Sequence, residues 1–434
     1  VALPPSQHPE MLAALEYPLE LAIKQEALAR TWSDQELPGT PDEIVPAPRP
    51  RGYRTTTKRR ALTRPEGIVL GFPGLARGRR GPESSGGTGD SVGSALDLPE
   101  HLPVYALLER WLREPGGRPL AETLSWAIVR GTAGALTVVL NVRVFNARVV
   151  RAAARLAEEL QRAPLGVRAG FLFLDPTGSE YYLEARRPEG RLTLKRLFGP
   201  GWLEARVGEL RLRFPPTVFS QVNGFMLGEM TSCVGALVGP LEGLGLLDLY
   251  CGYGLLALTI GRSAEQVIGI EIEAAAIEAA RANAAFLGCS EHVRFRVGRI
   301  DGELLANQLH PSPRPEVVVL DPPRQGTVSS VIPALAERGP VRVVHICCGI
   351  DEIAREVGAW AAAGFELRRI LPLDLFAGTA GLETLLLLEP GAPPQSVTRP
   401  DHRPGHRPDH RPVTRGRPGR SRPARGSGRK RRGA

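Results

Sequence analysis

From residue 230 onward, short and almost wholly apolar runs alternate with helical ones, and this rhythm constrains the fold more than any other feature of the chain. The apolar runs are GLGLLDLY (243–250), QVIGIEI (266–272), VVVLDPP (317–323), VRVVHICC (341–348) and TLLLLEP (384–390). Between the second and VRFRVGRI (293–300) lies EAAAIEAARANAAFLG (273–288), which reads as a helix. Strands that are apolar on both faces and alternate with helices predict a doubly wound, mostly parallel sheet covered on both sides. Such sheets bind ligands at the carboxyl ends of their strands.

The first of these strands runs into a glycine turn and then a helix, LLDLYCGYGLLAL (246–258). Gly252 and Gly254 let the chain reverse tightly and bring backbone N–H groups up to a ligand at a helix start. The next strand ends in Glu271, an acid placed to accept hydrogen bonds from both hydroxyls of a ribose. A dinucleotide enzyme would prefer a third glycine where Ala257 stands, although looser fingerprints tolerate alanine. DPPR at 321–324 shifts the reading toward S-adenosyl-L-methionine (SAM), because enzymes that methylate planar nitrogenous bases often carry it and nicotinamide enzymes have no need of it.

Upstream, residues 8–35 read as one or two amphipathic helices with Leu12, Leu15, Leu19 and Leu21 on the apolar side. A Pro-rich linker follows at 38–50, and 81–98 is a Gly/Ser-rich loop. Helical patterns at 100–114 and 146–163 alternate with strands near 124–130, 134–142 and 168–175, and strand-like stretches continue to about 214, which predicts a compact α+β unit. The expected organisation is a helical segment and linker (1–48), an RNA-binding α+β domain (49–205), a Rossmann-like SAM-dependent methyltransferase domain (206–390) and a disordered tail (391–434).

The charge of +9 is unevenly placed. Residues 399–434 hold thirteen Lys/Arg against two Asp, a net +11, which leaves −2 on residues 1–398. That tail repeats RPDHRPGHRPDHRP and cannot bury a core. A second basic concentration, ten Lys/Arg against one Glu, lies in 44–80, where Tyr53 and Phe72 interleave as stacking surfaces. Both regions suit a polyanion such as RNA. No apolar run approaches the ~20 residues of a membrane helix, and the N-terminal stretch lacks the basic start and apolar core of a secretion signal. The expectation is a cytoplasmic monomer that binds RNA, no membrane and no metal. Its five cysteines, Cys233, Cys251, Cys289, Cys347 and Cys348, form no C-x-x-C pair. Cys347 and Cys348 are adjacent and too close for an ordinary disulfide. On a strand, neighbours point to opposite faces, so the two thiols have different surroundings.

FSQVN (219–223), DLYCGYG (248–254), GIE (269–271), DPPRQG (321–326), ICCG (346–349) and PLDLFAGTAGLET (372–384), in this order and spacing, resemble the RNA uracil-5-methyltransferase family, which forms 5-methyluridine in tRNA and rRNA. GYRTTTKRRAL (52–62) resembles the segment that opens the family's RNA-binding part, with Arg54, Lys58, Arg59 and Arg60 as RNA contacts. The resemblance implies that Gln221, Tyr250, Glu271 and Asp321 bind SAM beside Gly252 and Gly254, and that Phe219 and Arg324 hold the target base. It implies Cys348 as the nucleophile, seventeen residues before Phe365, and Glu383 as the general base.

The chemistry suits these types. Uracil C5 is a poor nucleophile until a thiolate adds to C6 and turns the ring into an enolate. A carboxylate must then remove the C5 proton so that the thiolate can leave, a cation stabilises charge on the ring oxygens, and an aromatic holds the flipped base. The chain departs from the family in reading Cys347-Cys348-Gly349-Ile350 where S-C-N-P is usual, Ala377-Gly378-Thr379-Ala380-Gly381 where a Pro-His/Gln-Thr-x-His run precedes the base, and Leu255 for an Asn after the turn. Asp374 reads as a residue that orients a turn. The alternative to an enzyme is a catalytically idle paralogue that binds structured RNA.

Overall fold

The apolar runs pair into a single seven-stranded sheet. Its strands are β1 (Gly245–Leu249), β2 (Gln266–Glu271), β3 (Val293–Val297), β4 (Glu316–Leu320), β5 (Arg342–Cys347), β6 (Phe365–Leu373) and β7 (Glu383–Pro390). The computed structural model describes residues 10–65, 67–72, 93–177, 193–310 and 312–391. In space the strands run 3-2-1-4-5-7-6. β3, β2, β1, β4 and β5 are parallel, and β7 inserts antiparallel between β5 and β6. The order reverses between β1 and its neighbours β2 and β4, which opens a crevice at their carboxyl ends.

β1, β4 and β5 are buried along almost their whole length, as central parallel strands must be when helices cover both faces. Helices Leu227–Val238, Leu255–Ile260 and Ala274–Phe286 contribute to the core on one face, and Val331–Arg338 and Ile350–Ala362 to that on the other. β6 is an edge strand. Its exposed hydrogen-bonding groups are covered by the linker: Asp42 N donates to Ile370 O at 2.9 Å and Val45 N to Pro372 O at 2.9 Å.

A second, six-stranded sheet is ordered Gly67–Gly71, Thr56–Arg64, Leu124–Arg130, Leu136–Val142, Val167–Leu174, Thr193–Phe198. Helices His101–Arg113 and Ala147–Arg162 pack on one of its faces through Leu108, Leu112, Leu156 and Leu160. Asn146 caps the second helix, its Oδ1 accepting from Arg148 N and Val149 N. The helices and the strands from 124 onward fall where the sequence pattern puts them, whereas the strands Thr56–Arg64 and Gly67–Gly71 occupy a stretch that reads only as basic. The strand-like stretch near 178–192, most of the 81–98 loop and the basic tail from 392 lie outside the described residues.

The N-terminal region differs from expectation. One helix, Tyr17–Asp34, starts where Pro18 fits the first turn, and residues 10–15 form a separate turn. Its buried stripe is Glu20, Lys24, Leu28 and Trp32; of the expected leucines Leu12 is buried in the preceding turn, Leu15 and Leu21 are half-buried, and Leu19 is 53% exposed. A stripe that opens with two charges has little apolar periodicity to detect. The helix is held instead by long-range ion pairs.

Candidate functional site

β1 delivers the chain into the glycine turn at the crevice. Tyr250, Gly252 and Gly254 take positive φ of 63°, 52° and 86°. At Gly254 a side chain is sterically excluded, since a Cβ would meet the Phe295 ring at 2.9 Å and Leu258 Cδ1 at 3.0 Å. At Gly252 a Cβ would meet nothing within 4 Å, so the turn opens onto free space. Asp248 is buried below the turn and its Oδ2 accepts from Ala257 N at 2.9 Å, tying strand to helix. Burial pushes its carboxyl up to about 8. Glu271 faces the turn from the end of β2: Oε2 accepts from Gly252 N at 3.4 Å and Oε1 from Glu273 N at 3.0 Å. Tyr250 is half-buried, and burial raises its phenol to about 12.

A second cluster forms where β4, β5 and β7 end side by side. Asp321 follows β4, with its N–H donating to Leu249 O at 3.3 Å. Cys348 follows β5, and Glu383 opens β7. The antiparallel register sets Cys347 opposite Thr384, so the next residue on one strand and the preceding residue on the other come together. The Cys348 thiol donates to Glu383 Oε1 at 2.9 Å, with Asp321 Oδ1 at 3.9 Å and Pro322 O at 3.8 Å. Cys347 is turned away, 1% exposed, into the core that holds Trp360.

Electrostatics hold this cluster protonated. Burial, then the negative charges of Glu383 and Asp321, push the Cys348 thiol far up, so it rests as a thiol. Burial and then the Asp321 charge raise Glu383 to about 8. Burial raises Asp321 to about 7, against the hydrogen bond from Cys348. Glu383 Oε2 is buried with no hydrogen-bond partner among the described residues. The arrangement sets a thiol, the type of group that can act as a nucleophile, beside a carboxyl that titrates near neutrality. The three groups could also ligate a metal geometrically, since their ligand atoms lie within 4.8 Å of one another.

Arg324 stands exposed at the mouth, its guanidinium 5.9 Å from the Phe376 ring centroid. Its positive charge opposes the rise of the Glu383 carboxyl. Phe219 is 45% exposed and Gln221 half-buried. Arg130, buried at the end of strand Leu124–Arg130, grips the segment that carries them. Its guanidinium donates to Pro216 O at 2.5 Å, Val218 O at 3.0 Å and Ser220 Oγ at 2.8 Å. Glu356 does the same for the loop after Arg324, accepting from Thr327 N at 3.0 Å and Thr327 Oγ1 at 2.6 Å. Neither anchor is visible in the sequence. Arg130 is a lone charge in an apolar strand and Glu356 one of several charges on an amphipathic helix, and the segments they anchor are distant in the chain.

The basic face needs correction. Arg59 is 4% exposed, ion-paired with Asp97, and its guanidinium lies 3.9 Å from the Phe72 ring centroid and 4.9 Å from that of Tyr105. It ties its strand to the helix behind it and is not offered to solvent. Arg54 is partly buried and pairs with Glu10 at 2.6 Å. Lys58 and Arg60 lie on the strand's other face, 5.2 and 5.8 Å from the Trp126 ring centroid, and of the two Arg60 is exposed and Lys58 half-buried. Tyr53 is no stacking surface: it is wholly buried and donates its hydroxyl to Ala377 O at 2.8 Å. Asp374 does not simply orient a turn, because it takes an ion pair from Lys24. Among the described residues no helix is long and apolar enough to cross a membrane.

Residues 182–390 match the tRNA (uracil-5-)-methyltransferase family. An RNA methyltransferase of Clostridium acetobutylicum, itself uncharacterised, is 32% identical over 193 residues, 44% of this chain and 42% of the relative. An uncharacterised RNA methyltransferase of Corynebacterium glutamicum is 34% identical over 224 residues, 49% of this chain and 52% of the relative. The chain thus spans about half the length of the curated relatives it matches. The crystal structure of the Pyrococcus abyssi tRNA (uracil-54, C5)-methyltransferase with S-adenosyl-L-homocysteine superposes with a TM-score of 0.64 at 19% identity, covering 88% of this chain and 86% of that one. That likeness establishes the fold.

Proposed function

We propose that this chain, whose residues 182–390 carry the tRNA (uracil-5-)-methyltransferase family sequence, is a SAM-dependent RNA methyltransferase acting on C5 of a uridine in tRNA or rRNA through a covalent adduct on Cys348. The observation that carries the reading is the Cys348–Glu383 pair, 2.9 Å apart at the carboxyl end of the sheet.

The residues present fit the cofactor. The turn at Gly252 opens onto free space, Glu271 presents a carboxylate to it, and Tyr250 and Asp321 follow β1 and β4 at the carboxyl ends that form the crevice. When bound, SAM supplies an electrophilic methyl group for C5. Phe219 and Arg324 take the flipped base between them by stacking and by hydrogen bonding to its oxygens.

The Cys348 thiol loses its proton to water, and the freed thiolate adds to C6. The C5–C6 pair moves onto the ring as an enolate, which the Arg324 guanidinium stabilises. After C5 is methylated, Glu383, having passed its first proton to water, removes the C5 proton. The electrons left behind re-form the C5–C6 double bond and expel the thiolate, which reprotonates. A carboxyl near 8 loses its resting proton readily near neutral pH and then takes the C5 proton.

The test is incubation with methyl-labelled SAM and total RNA lacking 5-methyluridine. Label at uridine C5 is expected. RNA binding without any label would overturn the enzyme reading in favour of an idle RNA-binding paralogue.

A further inference from the structure

The segment joining β6 to β7, residues 374–382, ends at Glu383 and carries Phe376 beside Arg324. Apart from Asp374 it has no charged side chain, and Gly378 and Gly381 loosen it. Within the segment the Thr379 hydroxyl donates to Phe376 O at 2.8 Å and accepts from Gly381 N at 3.1 Å, and Glu383 itself pairs with Leu373 where β6 and β7 meet. A further restraint comes from far away in the chain. Lys24 donates to Asp374 Oδ1 at 2.6 Å, Phe376 O at 3.4 Å and Gly381 O at 3.5 Å, and pairs with Glu20 Oε1 at 3.0 Å. Glu20 in turn accepts from Gly378 N at 2.5 Å and from Arg51 at 2.8 Å. Tyr17 donates to Asp374 Oδ2 at 2.9 Å. Lys24 is 3% exposed, and Glu20 and Asp374 are 0%.

We propose that Lys24 is a positioning residue for Glu383: the N-terminal helix clamps the 374–382 segment and so fixes the base against Cys348. Two cations, Lys24 and Arg51, and two anions, Glu20 and Asp374, balance in this buried cluster. Any shift of the segment strands a charge away from its partner in a medium where an unpaired ion is costly. Apolar packing would hold the segment with more tolerance, whereas the ion cluster specifies one position. The clamp adds, from outside the catalytic sheet, to the contacts that Tyr53 and Leu12 make with Ala377 O and Gly378 O.

The consequence for the reaction rests on the proposed uridine chemistry. Addition of the thiol to C6 needs the Cys348 sulfur. Resolution of the adduct needs Glu383 at the right distance from C5. Releasing the clamp therefore slows resolution more than addition, since misplacing a catalytic group by about 1 Å can cost on the order of a hundredfold. The experiment uses the full chain with Lys24→Met, and with the pair Lys24→Met/Asp374→Leu, which leaves neither charge unpaired and guards against simple unfolding. In single turnover on uridine RNA we expect both to retain SAM affinity within about twofold and to accumulate the covalent adduct, resolving it at least about tenfold more slowly than the unmodified protein. Equal slowing of addition and resolution, or resolution at the original rate, would overturn the proposal.

A second readout needs no RNA. The rate of Cys348 alkylation at pH 9, followed by peptide mass spectrometry, reports on Glu383, Asp321 and Arg324 around the sulfur. Moving Glu383 away raises this rate at least about tenfold in both variants. An unchanged rate would overturn the clamp by itself. If the unmodified protein forms neither adduct nor 5-methyluridine while the rate still rises, the functional reading fails and the clamp stands.

Discussion

The raised carboxyl of Glu383 makes stability depend on pH in an unusual direction. Most buried carboxylates are paired with cations and contribute stability as pH rises. Here burial and the neighbouring Asp321 charge lift Glu383 from 4.5 to about 8. The native state therefore holds a proton that the unfolded chain has already released. Between these values the native state binds more protons, so stability falls as pH increases, by up to about 1.4 kcal/mol per pH unit. Across the whole window the penalty reaches at most about 5 kcal/mol, a large share of a typical folding free energy. Glu383→Gln removes it, because an amide of the same shape does not ionise. At pH 5 the two proteins should unfold at nearly the same urea concentration. From pH 5 to 8 the variant should gain steadily over the parent and then level off. Asp321 faces the same carboxyl, so the comparison reads the pair rather than Glu383 alone. The assay is urea unfolding followed by tryptophan fluorescence at unit pH intervals, with SAM absent. A stability difference that stays constant with pH, or a parent that becomes relatively more stable toward pH 8, would refute the argument that Glu383 is protonated in the resting site.

Other outcomes follow from particular contacts. With 5-fluorouridine RNA, whose fluorine cannot leave as a proton does, a covalent adduct is expected that Cys348→Ala abolishes and Cys347→Ala keeps, read by denaturing gel shift; survival of the adduct in Cys348→Ala would reassign the nucleophile. Gly254→Ala forces a methyl group to 2.9 Å from the Phe295 ring at a φ of 86°, and should cost about 1–3 kcal/mol of stability together with S-adenosylhomocysteine binding measured by calorimetry. Arg59→Ala strands the buried Asp97 carboxylate and should destabilise by about 3–5 kcal/mol, whereas Arg60→Ala should leave the melting temperature in place and flatten the salt dependence of RNA binding. Deleting 399–434 removes a net charge of +11 and should weaken RNA binding at low salt while SAM affinity is unchanged; equal RNA affinity at low salt would show that the tail takes no part.

Much of this protein was legible in the chain because its signals are local. An apolar run bounded by a turn declares a buried strand, and the D-x-x-x-G-x-G turn declares a close backbone approach, since each depends on residues within a few positions. Even Cys347 and Cys348 were separable in principle, as strand neighbours face opposite ways. Which of the two faces the carboxylates was settled by the pairing of Cys347 with Thr384 on a strand that returns antiparallel between β5 and β6. The basic strand shows the opposite case. A run of arginines suggests a polyanion surface, yet alternate residues on one strand part ways, and Arg59 is buried against Asp97 while Arg60 is exposed. The clamp of Lys24 and Glu20 on the segment before Glu383 joins residues about 350 positions apart. Composition and periodicity carry no trace of it, because a buried charge is tolerable only where its partner waits, and the tertiary fold alone brings the partner there.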